Sequence, residues 1–367
     1  MKDGVAVIGA GTAGLIAAKK LAQLGIPTVV YDQKKVLGVP VRASGILSIN
    51  GLDGLGIGYG RAITNTLYGA RIHAGGETMK IEAKKAMAHV LDRKGLNDLC
   101  HDEAVANGAD VILERRIGGQ KLDLLAESNI IVGADGAVSE VAKHFSMGKI
   151  RKYTVTYKAE FNIASEDPRL VDLFFGKNIS DGLFGWFSPN AKDILEVGIG
   201  VDSQSGNAKA AYERFTASPY VSGILGGAKP ISEGASIIPM SLREKIVDEE
   251  RRVMLVGDAA GQVKPSTGGG IVYGGNAAMM AAEAIHDHLS GKAPLGSYER
   301  KYNRKYGLDT WLHSAANAIY SGGVVLDLAI RAMNALGVPS FLSKYGDMDM
   351  PSLTFRNIFK AQDSYSY

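Results

Sequence analysis

At 367 residues, with 46% hydrophobic side chains and a formal net charge of +3, the chain has the size for two intimately joined domains and the balance of an ordinary globular protein. Its charges do not cluster, which argues against a nucleic-acid partner, and no run of about 20 apolar residues exists to span a bilayer. A single cysteine, Cys100, excludes intramolecular disulfides and thiolate metal clusters, and no metal site is expected.

Val5-Ala6-Val7-Ile8 reads as a short buried strand and runs straight into Gly9-Ala10-Gly11-Thr12-Ala13-Gly14, so no signal peptide is expected. A helix follows to about Leu24, then a second strand, Thr28-Val29-Val30-Tyr31, ending in Asp32. This is G-x-G-x-x-G in its required context of strand, turn and helix, with an acid about 20 residues on to hold a ribose hydroxyl. An ADP-containing dinucleotide is the expected ligand. Its pyrophosphate would lie on the helix N-terminus, against the N–H groups of Ala13 and Gly14. Gly54-Leu55-Gly56-Ile57-Gly58-Tyr59-Gly60 is read as a flexible loop rather than a nicotinamide site, because no strand signal precedes it and no helical period follows.

Val90-Leu91-Asp92-Arg93 leads into an amphipathic helix carrying Leu96, Leu99 and Val105, in which Cys100 is a buried small residue. Asp110–Leu113 and Asn129–Gly133 read as further buried strands. From Tyr153 the pattern becomes strand-rich: Tyr153–Ile163, Val171–Phe175, Leu183–Phe187 and Ile194–Val201, with turn signals between them, predict an antiparallel sheet inserted into the first domain. The aromatic stretch Phe184-Gly185-Trp186-Phe187-Ser188-Pro189 reads either as sheet core or as the wall of a cavity.

Val253–Val256 is the next buried strand, and Gly257-Asp258 ends it with a carboxylate. Pro265 and Gly268-Gly269-Gly270-Ile271 then strip side chains from a turn that enters an alanine-rich helix reaching Leu289. A strand-end acid and a bare turn at a helix start suit a large anionic or polarisable cofactor, whereas a structural turn seldom needs three glycines in a row. Beyond it, Tyr298–Tyr306 is a charged helix. Val324–Leu336 is an apolar helix with Asp327, Arg331 and Asn334 in one polar stripe, read as docked on the core or facing an apolar ligand or membrane.

The Gly257–Ala260 and Pro265–Ile271 pieces, at this spacing, resemble the flavin-contacting motif of FAD-dependent oxidoreductases of the aromatic-hydroxylase type, and within them the geranylgeranyl reductases of archaeal lipid synthesis. The resemblance implies an α/β fold: a Rossmann-like FAD-binding domain with an inserted antiparallel β-sheet substrate domain and C-terminal helices. We expect the FAD-binding domain in residues 1–71, 88–148 and 245–290, the substrate domain in 72–87 and 149–244, and a helical region in 291–367. It also implies one FAD, with Asp258 at the ribityl chain and the glycine turn at the pyrimidine end. Val39-Pro40-Val41-Arg42-Ala43-Ser44-Gly45 would pass the flavin ring. Ala43 and Ser44 stand there where the reductases carry Cys and Gly, which leaves the proton donor open, with Ser44 and Tyr273 as candidates by location. Arg93 is read as a cofactor contact or as a solvated helix-start charge. Asp135, in Ala134-Asp135-Gly136, is similar to a further motif of the group, and Phe184, Trp186 and Pro189 resemble the reductase substrate cavity. Tyr345–Pro351 resembles the family's C-terminal segment.

The implied activity is reduction of carbon–carbon double bonds in polyprenyl lipids. Electrons would come from reduced ferredoxin, reduced deazaflavin or NADPH, in the cytoplasm, with peripheral membrane contact left open. A flavin monooxygenase and a non-catalytic flavin- or lipid-binding relative are the alternatives. A quinone-linked dehydrogenase is disfavoured, since its iron–sulfur cluster needs cysteines that the chain lacks.

Overall fold

The computed structural model describes residues 4–39, 44–127, 129–321 and 326–354. The chain opens with strand β1 (Gly4–Ile8), helix α1 (Thr12–Gln23) and strand β2 (Thr28–Tyr31), with β2 parallel to β1 and Val5 opposite Thr28. It leaves this unit through β3 (Ile46–Ser48), α2 (Ile49–Gly54), β4 (Ile63–Leu67), the hairpin β5 (Gly69–Ala74) and β6 (Glu77–Glu82), and β7 (Ala88–Leu91). The chain then returns through α3 (Arg93–Ala106), β8 (Asp110–Ile112), α4 (Gln120–Ala126), β9 (Asn129–Gly133) and α5 (Glu140–His144). A second excursion contains β10 (Tyr153–Phe161), β11 (Leu170–Phe175), β12 (Gly182–Ala191), β13 (Ile194–Asp202), α6 (Ala208–Thr216), α7 (Pro219–Leu225) and β14 (Ser232–Pro239). Strands β15 (Val247–Asp248) and β16 (Val253–Leu255) rejoin the first unit. The helices α8 (Ile271–Leu289), α9 (Ser297–Ser321), α10 (Leu326–Ala335) and α11 (Val338–Tyr345) follow.

Three sheets result. The first has the order β15-β16-β9-β1-β2-β8 and is parallel except at its β15 edge. Its central strands are buried along their whole length, as continuous apolar runs in a sheet covered on both faces must be. The second has the order β14-β10-β13-β12-β11-β5-β6. It is antiparallel except where β5 joins β11 in parallel, Gly69 opposite Leu170. A small antiparallel sheet, β3-β7-β4, forms within the first excursion.

Several expectations need adjustment. Residue 71 lies inside β5, so a boundary between 71 and 72 would cut a strand of the second sheet. The stretch between β8 and β9 holds the helix α4. Gly54 ends α2, which directly follows β3, and Gly56 has a φ of +60°, so a strand and a short helix do precede the loop. Helix α10 docks: Ile330 is buried with Ala74 and Met79, while Arg331 pairs with Glu77 at 2.8 Å and Asn334 Nδ2 donates to the Thr78 carbonyl. Its polar stripe therefore faces the β5–β6 hairpin. Cys100 is buried in α3, and burial pushes its thiol up to about 12. Among the described residues, no helix is long and apolar enough to cross a membrane.

Candidate cofactor and active site

At the carboxyl end of β1 the chain packs too tightly for side chains. Gly9 has a φ of +108°, and a Cβ there would sit 2.4 Å from the Ala134 carbonyl oxygen. A Cβ on Gly14 would sit 2.0 Å from the Gly9 carbonyl oxygen. Gly11 opens α1 without any side-chain cap, and the first turn carries no acid, which leaves its N–H groups and dipole for a ligand. Ala13 lies against Gly257, so the start of α1 abuts the turn after β16. Asp32, at the end of β2, accepts from the Ala10 N–H at 2.7 Å and the Lys34 N–H at 2.8 Å. It stiffens the glycine loop while lining an open cleft of about 1190 Å3. Arg115, Lys143 and Lys149 give this cleft a cationic rim. Asp135 lines it too, but its carboxylate caps α5, accepting from Ser139 Oγ at 2.6 Å and from the N–H groups of Glu140 and Val141. Burial raises its pKa despite those bonds.

Farther in, two half-buried opposite charges lie within electrostatic reach of each other. Arg93 is the first residue of α3, whose N-cap Asp92 accepts from the N–H groups of Lys94 and Gly95. Its guanidinium points inward, with Nη2 3.5 Å from Thr12 Oγ1, and its Nη1 is buried without a hydrogen-bond partner. Burial lowers its pKa, and the attraction of Asp258 partly offsets this. Burial raises that of Asp258, against the pull of Arg93. A Cβ on Gly270 would lie 2.8 Å from Asp258 Oδ1; only glycine lets the carboxylate lie over the start of α8. Arg42 and Ala43 lie outside the described residues. Ser44, directly after them, is half-buried. The flanking Gly38 and Gly45 press on Lys94 and Leu91, so both ends of that segment are anchored beside Arg93.

The turn Lys264–Gly270 closes on itself, with the Lys264 N–H donating to Gly269 and Gly268 to Lys264. Pro265 is buried behind it and Gly268 has a φ of +73°. Lys264 folds back along Gly269, its Nζ 3.9 Å from where a Gly269 Cβ would stand. It donates to Asp349 Oδ1 at 2.8 Å and to the Met348 carbonyl at 2.9 Å. Asp349 Oδ2 accepts from Ser48 Oγ. Burial acts to raise the Asp349 pKa, but Lys264 and Ser48 outweigh it and the net shift is downward. The Asp349 carbonyl accepts from Tyr273 at 2.7 Å and from His313 Nε2 at 3.1 Å, and Ser266 Oγ lies 2.7 Å from His313 Nδ1. The carbonyl can only accept, so Nε2 carries a proton; burial together with Lys264 lowers the pKa to about 4, which makes the ring the neutral Nε2–H tautomer at neutral pH. Tyr273 is fully buried against Tyr306 with its hydroxyl committed, an arrangement that serves packing rather than proton delivery.

On the facing sheet, Phe184 and Trp186 form a buried cluster with Leu183 and Met240. Trp186 lies flat over Gly198 and donates to Glu196 at 2.8 Å, while Lys158 meets the same carboxylate at 2.5 Å. Pro189 is also buried, its carbonyl accepting from Asn65 at 2.6 Å. Two contacts join this wall to the glycine turn. Ile238 lies 3.0 Å from where a Gly268 Cβ would be. Tyr320 packs on Phe175 and Phe184 while its hydroxyl donates to the Ser266 carbonyl.

No protein-family model matches the chain. A digeranylgeranylglycerophospholipid reductase of Methanothermobacter thermautotrophicus is 31% identical over 335 residues, covering 83% of each chain. The chain belongs to that reductase family. Among solved structures, a geranylgeranyl bacteriochlorophyll reductase-like protein of Thermoplasma acidophilum superposes with a TM-score of 0.80 at 22% identity, over 97% of this chain and 95% of its own. A flavin-dependent brominase superposes at 0.72 and 17% identity over the full length of both. These structural likenesses establish the fold, that of FAD-dependent enzymes.

The reductase-family chain has the features an FAD site requires. Its uncapped helix start and glycine cradle suit a pyrophosphate, and the unpartnered Nη1 of Arg93 is a buried donor in need of an acceptor. Lys264, Asp349, His313 and Tyr320 were not singled out from sequence. A lysine inside a Pro/Gly turn was a legible signal for the first. Asp349 lies in the Tyr345–Pro351 stretch that resembles the family's C-terminal segment, a signal for the segment but not for the residue, while His313 and Tyr320 come from α9 and carried none.

Proposed function

We propose that the protein reduces carbon–carbon double bonds of geranylgeranyl chains on glycerophospholipids, with FAD lying from the Asp32 cleft to the Lys264–Gly270 turn. FAD, when bound, supplies the two-electron chemistry. Gly9, Gly11, Ala13 and Gly14 hold the pyrophosphate, and Asp32 the ribose. Arg93 and Asp258 orient the middle of the cofactor, and the N–H groups at Gly269, Gly270 and Ile271 favour negative charge at its inner end. Lys264 adds a cation on the same side. Arg42 and Ala43 belong to this reading through the segment that ends at Ser44, the remaining candidate for proton delivery. Phe184 and Trp186 exclude water and orient an apolar chain. The observation that carries the proposal is the junction itself: Tyr320 and Ile238 bind the glycine turn directly to the aromatic wall. Electrons arrive from reduced ferredoxin, reduced deazaflavin or NADPH, and the protein meets its lipid at a membrane surface.

The test is anaerobic. The FAD-loaded protein is reduced with dithionite and mixed with a geranylgeranyl glycerophospholipid, while absorbance is followed and the lipid is weighed by mass spectrometry. Reoxidation together with a lipid heavier by two hydrogens per turnover is expected. Absorbance that recovers only when air is admitted would favour oxygen chemistry and overturn the proposal.

A further inference from the structure

Helix α9 (Ser297–Ser321) is buried along one face, where Tyr302, Tyr306, Asp309, His313 and Asn317 pack inward. The opposite face carries Leu308, Trp311, Leu312, Ala315 and Ile319. This spacing of three and four residues keeps them within a stripe about 100° wide. Leu308 is 61%, Trp311 64% and Ile319 60% exposed. On the preceding turns the same stripe carries Arg300, Lys301, Arg304 and Lys305. The helix has two acids, and neither opposes these cations on the stripe: Asp309 is buried, receiving Ser352, and Glu299 lies off it. Lys301 reaches Asp287 on α8 at 3.2 Å, and Lys305 reaches Asn276 at 3.1 Å. Both arginines are exposed.

We propose that this face docks the protein on a bilayer with anionic headgroups. Apolar side chains beside a Trp, followed by cations on long stems, are the pattern of a helix lying in the membrane interface: acyl chains receive the first, headgroups the second. Charge argues against a second copy as the occupant. An antiparallel pair of α9 helices would lay the cations of each on the apolar half of the other, with no carboxylate on the stripe to meet them. The inference rests on the lipid-substrate reading only for its purpose, because vesicle binding is measured without turnover.

The chain has two tryptophans, Trp186 and Trp311, and Trp186 is buried, so Trp311 reports on this face. The full-length chain is mixed with vesicles of equal parts phosphatidylglycerol and phosphatidylcholine, or of phosphatidylcholine alone, with brominated acyl chains as quencher. Blue-shifted, quenched Trp emission and co-sedimentation on the anionic vesicles alone are expected. Trp311→Phe should lose the fluorescence response yet still sediment, which shows that the fold is intact. Arg300→Glu with Arg304→Glu should weaken sedimentation roughly tenfold or more, from about 1 kcal/mol per basic residue. No quenching of Trp311, or binding indifferent to lipid charge, overturns the proposal. So does a lipid-free dimer that Trp311→Asp dissociates, which would assign the face to a second copy. Vesicle binding without reduction of any geranylgeranyl lipid would sink the reductase reading and leave this one standing.

Discussion

At its outer end the proposed cofactor groove is walled by backbone, by the half-exposed carboxylate of Asp32 and by Asp135 and Glu140, and opens to a cationic rim. At its inner end the chain gathers four charged side chains, buried Lys264 and Asp349 and half-buried Arg93 and Asp258, around a glycine-rich turn. The outer end can bind by shape and by the uncapped N–H groups at the start of α1. The inner end holds an arginine with a donor unmatched, which is costly unless a ligand completes it. One end is built to grip a cofactor, the other to set the field around its reactive part.

The largest expected effect breaks the outer end. Gly14→Val places carbon against the Gly9 carbonyl, a backbone atom with no room to retreat. FAD affinity, measured by titration, should fall by about 100-fold or more; unchanged affinity would remove the cradle from the account. At the inner end, His313 titrates near 4 when folded and near 6.5 unfolded. The unfolded chain alone takes up a proton between these values, so stability is lost as pH falls from about 6.5 to 4, by up to roughly 3 kcal/mol. Above that window the residue contributes no pH dependence. Denaturant melts of wild type and His313→Gln should converge as pH falls. The difference between them removes the opposite contributions of Asp135 and Asp258, whose pKa values are raised.

Arg93→Met distinguishes a cofactor contact from a structural charge. Without FAD the variant should melt no lower than wild type, since an unpaired buried charge has gone, while FAD affinity drops about tenfold. Reduced thermal stability with unchanged affinity would make Arg93 structural. The mildest effect concerns Lys264. Lys264→Met should lower the two-electron potential of the bound flavin by roughly 30 mV, equivalent to about 1.4 kcal/mol. A potential that does not move would confine Lys264 to holding Asp349.

Much of the parallel sheet was legible because its strands are short apolar runs bounded by glycine, and a fully buried strand admits little else. Gly9–Gly14 with Asp32 declared a nucleotide end for a similar reason: close backbone approach demands glycine at fixed spacings, and spacing is local. Pairing across the chain was not legible. The parallel junction of β5 with β11, and the polar stripe of α10 turned onto the β5–β6 hairpin, depend on partners about 100 and 250 residues away, and no local pattern names a partner.

The same division runs through the candidate site. The sequence by itself determined the glycine positions, the strand-end carboxylates and the aromatic strand, because each is dictated by the geometry of its own backbone. Tertiary structure alone decided that Arg93 comes within electrostatic reach of Asp258, that Asp349 from the C-terminal segment receives Lys264, and that Tyr320 joins the turn to the aromatic wall. Those groups interact through space inside a poorly screened interior, where distance rather than sequence separation sets the energy.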